Sequence, residues 1–94
     1  MNISGKKIII FGGTSGIGEA ATKIMSEKGA AEIIAISRNP DKMTNVPENV
    51  TLEKIDVLDE EALKSFFKNQ GKFDVLINWA TGAQEQLDLF LKWT

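Results

Sequence analysis

A chain of 94 residues with a net charge of -2 has room for one small domain, and it carries no basic stripe to neutralise a nucleic-acid backbone. It has no Cys and no His, which excludes disulfides and thiolate chemistry and removes the commonest metal ligand and general base; Tyr is absent as well. No apolar run approaches the roughly 20 residues that span a bilayer, no secretory leader is evident, and the 43% hydrophobic and 26% charged residues suit an ordinary soluble, cytoplasmic globular protein.

Lys7 to Phe11 is a short apolar run of mostly β-branched residues that stops at Gly12 and Gly13, as expected of a strand buried on both faces. From Ile17 the period becomes helical. Ile17, Ala20, Ala21, Ile24 and Met25 form the expected apolar face, opposite Glu19, Lys23 and Glu27, and Gly29 suits a left-handed helix end. Ile33 to Ile36 reads as a second buried strand. Arg38 to Asn49 is polar, holds Pro40 and Pro47, and is expected to be a loop with at most one helical turn. Thr51 to Val57 is expected to be a third strand. Asp59 is a good N-cap for a helix whose face is Ala62, Leu63, Phe66 and Phe67, with Glu60 and Glu61 at its favourable end and Gly71 beyond it. Phe73 to Asn78 is a fourth strand, and Gln84 to Trp93 has helical spacing of Leu87, Phe90 and Leu91. Strands alternating with crossovers predict an α/β fold: a parallel, doubly wound sheet in the order 3-2-1-4, with helices on both faces.

The turn after the first strand reads Gly12-Gly13-Thr14-Ser15-Gly16-Ile17-Gly18. Gly12 allows a tight turn, Gly16 removes the Cβ that would hold a pyrophosphate away, and Gly18 lets the helix pack closely on the strand. The free N–H groups of the helix start, with the hydroxyls of Thr14 and Ser15, then favour an anion. A glycine-rich turn that merely closes a βα unit is the plainer alternative, but the strand before it and the helix after it match the context that nucleotide binding requires. At the end of the second strand, where an acid would bond a ribose 2′-hydroxyl, the chain has Ser37 and Arg38. Arg38 could grip a 2′-phosphate, so NADP(H) is favoured over NAD(H); a solvated surface arginine is the alternative.

The spacing Gly-x-x-x-Gly-Ile-Gly, with Gly5-Lys6 as lead-in, resembles the phosphate loop of the short-chain dehydrogenase/reductase family, although Phe11 stands where that family often has Thr. The resemblance implies a truncated Rossmann domain over residues 1–94 that lacks the family's C-terminal catalytic half. It implies that Asp56 accepts from the adenine amino group and that the N–H of Val57 meets a ring nitrogen; a strand-end Asp satisfying loop amides is the alternative. Asn78-Trp79-Ala80-Thr81-Gly82 resembles the family's Asn-Asn-Ala-Gly segment, with Ala80 and Gly82 thinning the wall beside the ribose and Asn78 bridging strands. Trp79 departs from the pattern. Family catalysis relies on a Tyr and a Lys one helical turn apart, with an upstream Ser, and there is no Tyr here. The expected function is therefore the NADP(H)-binding portion of an oxidoreductase that transfers hydride between nicotinamide and a carbonyl or alcohol, inactive alone. A non-catalytic nucleotide-binding module and an interaction protein are the alternatives. The apolar fourth strand carries no blunting Pro or Lys, so a homodimer through that strand or the tail helix is expected; a tail helix that folds over the edge with Leu87, Phe90, Leu91 and Trp93 is the plainer alternative.

Overall fold

The computed structural model describes residues 3–12, 16–56 and 58–78. Strands β1 (Lys7–Phe11), β2 (Glu32–Ser37), β3 (Val50–Lys54) and β4 (Val75–Asn78) alternate with helices α1 (Gly16–Glu27) and α2 (Glu60–Gln70), and a 3-10 turn spans Pro40–Lys42. The four strands form one sheet in the order β3-β2-β1-β4, and every neighbouring pair is parallel, as the sequence predicts.

The sheet is buried on both faces because its central strands carry apolar, mostly β-branched residues at successive positions, not at alternate ones. Ile9, Phe11, Ile34 and Ile36 face one layer, where they meet Ile55 and the α2 residues Leu63 and Phe66. Ile8, Ile10, Ile33 and Ala35 face the other, where they meet Met25 of α1, Met43 and Val50. Helices therefore cover opposite faces, as right-handed crossovers require when the chain moves first one way and then the other from β1. Phe11 is fully buried, and its ring lies 6.3 Å from that of Phe67, which also contacts Phe66 and Phe73. The residue that departs from the family pattern thus belongs to an aromatic cluster beneath α2.

Helix ends follow their sequence signals. Asp59 caps α2 by accepting from the Ala62 N–H at 3.1 Å. Gly29, at φ +90°, ends α1: its N–H donates to Ser26 O and the Ala30 N–H reaches back to Met25 O, the paired bonds of a Schellman motif. Asn49 reinforces this end from across the chain. Its Nδ2 donates to Ala30 O at 2.9 Å and to Ser26 O at 3.4 Å, and its Oδ1 accepts from the Ser26 hydroxyl. The start of β3 is thereby tied to the end of α1.

Four expectations need correction. On α1 the buried residues are Gly18, Thr22 and Met25, whereas Ile17 is 72% exposed and Ile24 is 52% exposed. The helix is rotated from its most apolar stripe because Gly18 permits close contact, and because the Thr22 hydroxyl is satisfied internally by donating to Gly18 O at 2.8 Å. Strand β2 extends one residue further at each end than Ile33 to Ile36. Strand β3 starts at Val50 and stops at Lys54, short of Val57, although the Ile55 N–H still donates to Ser37 O at 3.1 Å. Strand β4 starts at Val75, not Phe73, because Asp74 closes the ladder: its carboxylate accepts from the Lys7 N–H at 2.9 Å while its own N–H donates to Lys7 O. The expected tail helix from Gln84 to Trp93 lies outside the described residues.

Candidate functional site

The register of the sheet decides which residues meet. Phe11, the last residue of β1, stands beside Ile36 and beside Asn78, and Ser37 stands beside Lys54. All four strands therefore end on one edge, and the segment after each strand leaves from there. Gly12 leaves β1 at φ +81° and its N–H donates to Ile36 O at 2.7 Å, so the turn departs right against the end of β2. Such a φ suits glycine and strains other residues. Gly16 opens α1 at φ +58°, and among the described residues, apart from its chain neighbours and its own helix backbone, a Cβ built on it would meet no heavy atom within 4 Å. The start of α1 thus borders open space at the strand ends, where a helix presents N–H groups that have no partner within it and the positive end of its dipole. Ile17 is exposed beside it, and Gly18 is buried under the helix.

Arg38 is exposed and, among the described residues, enters no ion pair. Ser37 is half-buried. Asn78 ends β4 half-buried and next to Phe11. Asp56 is exposed one residue past the last ladder bond, where its Oδ1 accepts from the Leu58 N–H at 3.0 Å and its carbonyl accepts from the Asp59 N–H at 2.9 Å. It thus satisfies loop amides that lead into α2, which was the plainer expectation for this residue. Gly12, Gly16, Ser37, Arg38, Asp56 and Asn78 accordingly share one edge of the sheet. Thr14, Ser15, Val57, Ala80 and Gly82 lie outside the described residues. Among the described residues no cluster of acids could hold a metal ion, and no helix is long and apolar enough to cross a membrane.

Sequence reasoning missed Lys54. It is exposed at the end of β3 and in register with Ser37, the residue that precedes Arg38. The only signal for it is strand register, which becomes available once β2 and β3 are known to be neighbours.

An open cradle at a helix start on the carboxyl edge of a parallel sheet is where open α/β folds bind ligands. A family model described as NAD(P)H-binding matches residues 12–90. Short-chain dehydrogenase/reductase prx4 of Penicillium rubens is 39% identical over 84 residues, covering 89% of this chain and 25% of prx4. The chain belongs to the short-chain dehydrogenase/reductase family. Within that family it is also similar to D-xylose 1-dehydrogenase of Caulobacter vibrioides, 30% identical over 82% of this chain and 34% of the relative. A solved short-chain dehydrogenase of Burkholderia cenocepacia in complex with NADP superposes with a TM-score of 0.77 at 25% identity, over 85% of this chain and 34% of that one. Bordetella bronchiseptica WbmF in complex with NAD+ shares the fold, with a TM-score of 0.71 at 16% identity over 86% of this chain and 24% of that one. The chain spans about a quarter of the length of prx4. The matched region corresponds to the family's N-terminal, NAD(P)H-binding portion.

Proposed function

We propose that this chain is the NADP(H)-binding portion of a short-chain oxidoreductase whose reaction moves a hydride between nicotinamide and a carbonyl or alcohol carbon. The observation that carries the preference for NADP(H) is Arg38, exposed and without an ion-pair partner among the described residues, directly after β2, whose Ile36 carbonyl accepts from the Gly12 N–H. A guanidinium there can hold a 2′-phosphate through charge-assisted bonds. Supporting the parent reaction, some relatives bear dehydrogenase names that state an alcohol or sugar, among them D-xylose 1-dehydrogenase and, from Mentha piperita, (-)-isopiperitenol/(-)-carveol dehydrogenase.

The residues present fit the dinucleotide. Gly16 leaves room for a pyrophosphate over the start of α1, with N–H groups of that turn and the hydroxyls of Thr14 and Ser15 as donors. Gly12 and Gly18 make the turn and the close helix packing, and Ile17 lies beside the cradle. Ser37 borders the ribose. By family resemblance, Asp56 would accept from the adenine amino group in addition to its bond from the Leu58 N–H, the Val57 N–H would meet a ring nitrogen, Ala80 and Gly82 would keep the wall beside the ribose thin, and Asn78 would bridge strands. When bound, the cofactor supplies the hydride; this chain's residues hold and orient it.

With no Tyr and no His to protonate a carbonyl oxygen, the chain alone binds cofactor without turning it over. Calorimetric titration of the wild type should give tighter binding of NADPH than of NADH, and Arg38→Ala should remove roughly 10- to 100-fold of NADPH affinity while leaving NADH nearly unchanged. The same preparation should show no carbonyl reduction above background. Equal affinities for the two cofactors in the wild type would remove the NADP(H) preference, and turnover that survives repurification would remove the binding-only role.

Self-association is a second expectation. Among the described residues β4 pairs with β1 alone, so the other side of Val75–Ile77 has no strand beside it there, next to apolar side chains. A two-fold axis pairing two such edges would close a homodimer. Sedimentation equilibrium over a wide concentration range should show a monomer-dimer equilibrium; a monomer mass throughout would exclude it.

A further inference from the structure

We propose that Lys54 is a second cation of the adenosine 2′-phosphate site, acting with Arg38 from the neighbouring strand. The inference deepens the NADP(H) assignment and rests on it. Ser37 and Lys54 are register partners at the ends of adjacent parallel strands, which lie about 4.8 Å apart. The pairs before them fix the side of the sheet: Ile33 beside Val50 and Ala35 beside Leu52 belong to the face that carries α1. Two residues further along, alternation brings Ser37 and Lys54 to that same face. Glu53, the acid nearest in the chain, is beside Ile36 and so belongs to the opposite face, toward α2.

Lys54 and Arg38 are both exposed, and among the described residues neither forms an ion pair, although four other ion pairs involving Lys7, Lys23 and Lys64 do form. The nearby acids do not neutralise the corner. Asp41 is exposed on the 3-10 turn, and Asp56 is engaged with the Leu58 N–H. Lys54 stands opposite Ser37, the residue before Arg38, so both cations leave the ends of adjacent strands where each can approach one anion on its flexible stem. A phosphate monoester beside Ser37 is such an anion. Arg38 offers a planar fork and Lys54 a compact charge on a flexible four-carbon stem, so the two can share a phosphate without competing for one geometry.

Adenosine 2′,5′-bisphosphate and adenosine 5′-monophosphate differ only in the 2′-phosphate, and calorimetric titration of the full chain with each isolates this contact. Lys54→Gln should weaken the bisphosphate by about 5- to 10-fold and leave the monophosphate within about 2-fold. Lys54→Arg should restore most of the loss, and the wild-type preference should shrink as salt is raised. Lys54 is exposed on an edge strand, and circular dichroism would register any loss of fold. If Arg38→Ala loses the bisphosphate preference while Lys54→Gln keeps it, Lys54 has no part in the site and the NADP(H) assignment stands. If Lys54→Gln weakens both ligands equally, the contact is not to the 2′-phosphate and the proposal is overturned. If the wild type does not distinguish the ligands, or binds neither, the NADP(H) assignment falls and Lys54 with it.

Discussion

Phe66→Ala should cost about 3–5 kcal/mol of folding stability, a large part of the about 5–15 kcal/mol that a domain possesses. Phe66 is 6% exposed and lies on the inward face of α2, among Ile9, Phe11, Ile34, Ile36 and Leu63. Its ring meets Phe67 edge to face at 5.2 Å, and Phe67 in turn touches Phe11 and Phe73. Truncation removes the transfer energy of the ring and leaves a cavity that a rigid sheet cannot collapse to fill. Ile24→Gln is the matched control. Isoleucine is as apolar as any residue in the chain, yet Ile24 is 52% exposed and its replacement should stay within about 0.5 kcal/mol. Urea unfolding of the two variants beside the wild type measures the difference. Similar midpoints for both variants would mean that α2 does not pack as described.

Gly16→Val should weaken nucleotide binding by roughly 100- to 1,000-fold while lowering stability far less. The stability cost has one cause. At φ +58° a side chain is strained by about 1–2 kcal/mol, but among the described residues its Cβ would meet nothing within 4 Å beyond its chain neighbours and its own helix backbone. That same space is where the pyrophosphate would lie. A branched side chain there excludes the phosphate from the helix start, forfeiting charge-assisted bonds of about 1.5–3 kcal/mol and adding overlap of about 1 kcal/mol. The two readouts separate the causes. Affinity lost in proportion to folding would indicate an indirect effect, and affinity retained would place the pyrophosphate elsewhere.

Most of the sheet was legible because strands buried on both faces are written as continuous apolar runs. Ile8, Ile9 and Ile10 leave little choice of secondary structure, and the crossover rule then orders the strands. The helix ends at Gly29 and Gly71 and the cap at Asp59 were equally legible, because each rests on a local backbone requirement. What could not be read depends on distant partners. The buried face of α1 is set by Gly18 and Thr22, a small residue and a polar one, so hydrophobic spacing pointed to Ile17 and Ile24. The limit of β4 is set by Asp74 meeting Lys7, 67 residues away. In the candidate site, Gly12, Gly16 and Arg38 were visible as motif positions. Lys54 was not, because it enters the corner through register and not through any spacing along the chain.

The central place of β1 also bears on how the chain is made. Its two neighbours are the second and fourth strands, so the earliest made of the four described strands is among the last to be completed. At about 5–20 residues per second, the 67 residues between Lys7 and Asp74 take roughly 3–13 s to synthesise. Throughout that interval the Ile8 to Phe11 segment has at least one open edge, and before Ile33 to Ser37 emerge it has two. A nascent chain in that state is a substrate for chaperones and a template for aggregation. The continuous isoleucine run that makes the finished sheet readable is, for those seconds, apolar surface without its two strand partners.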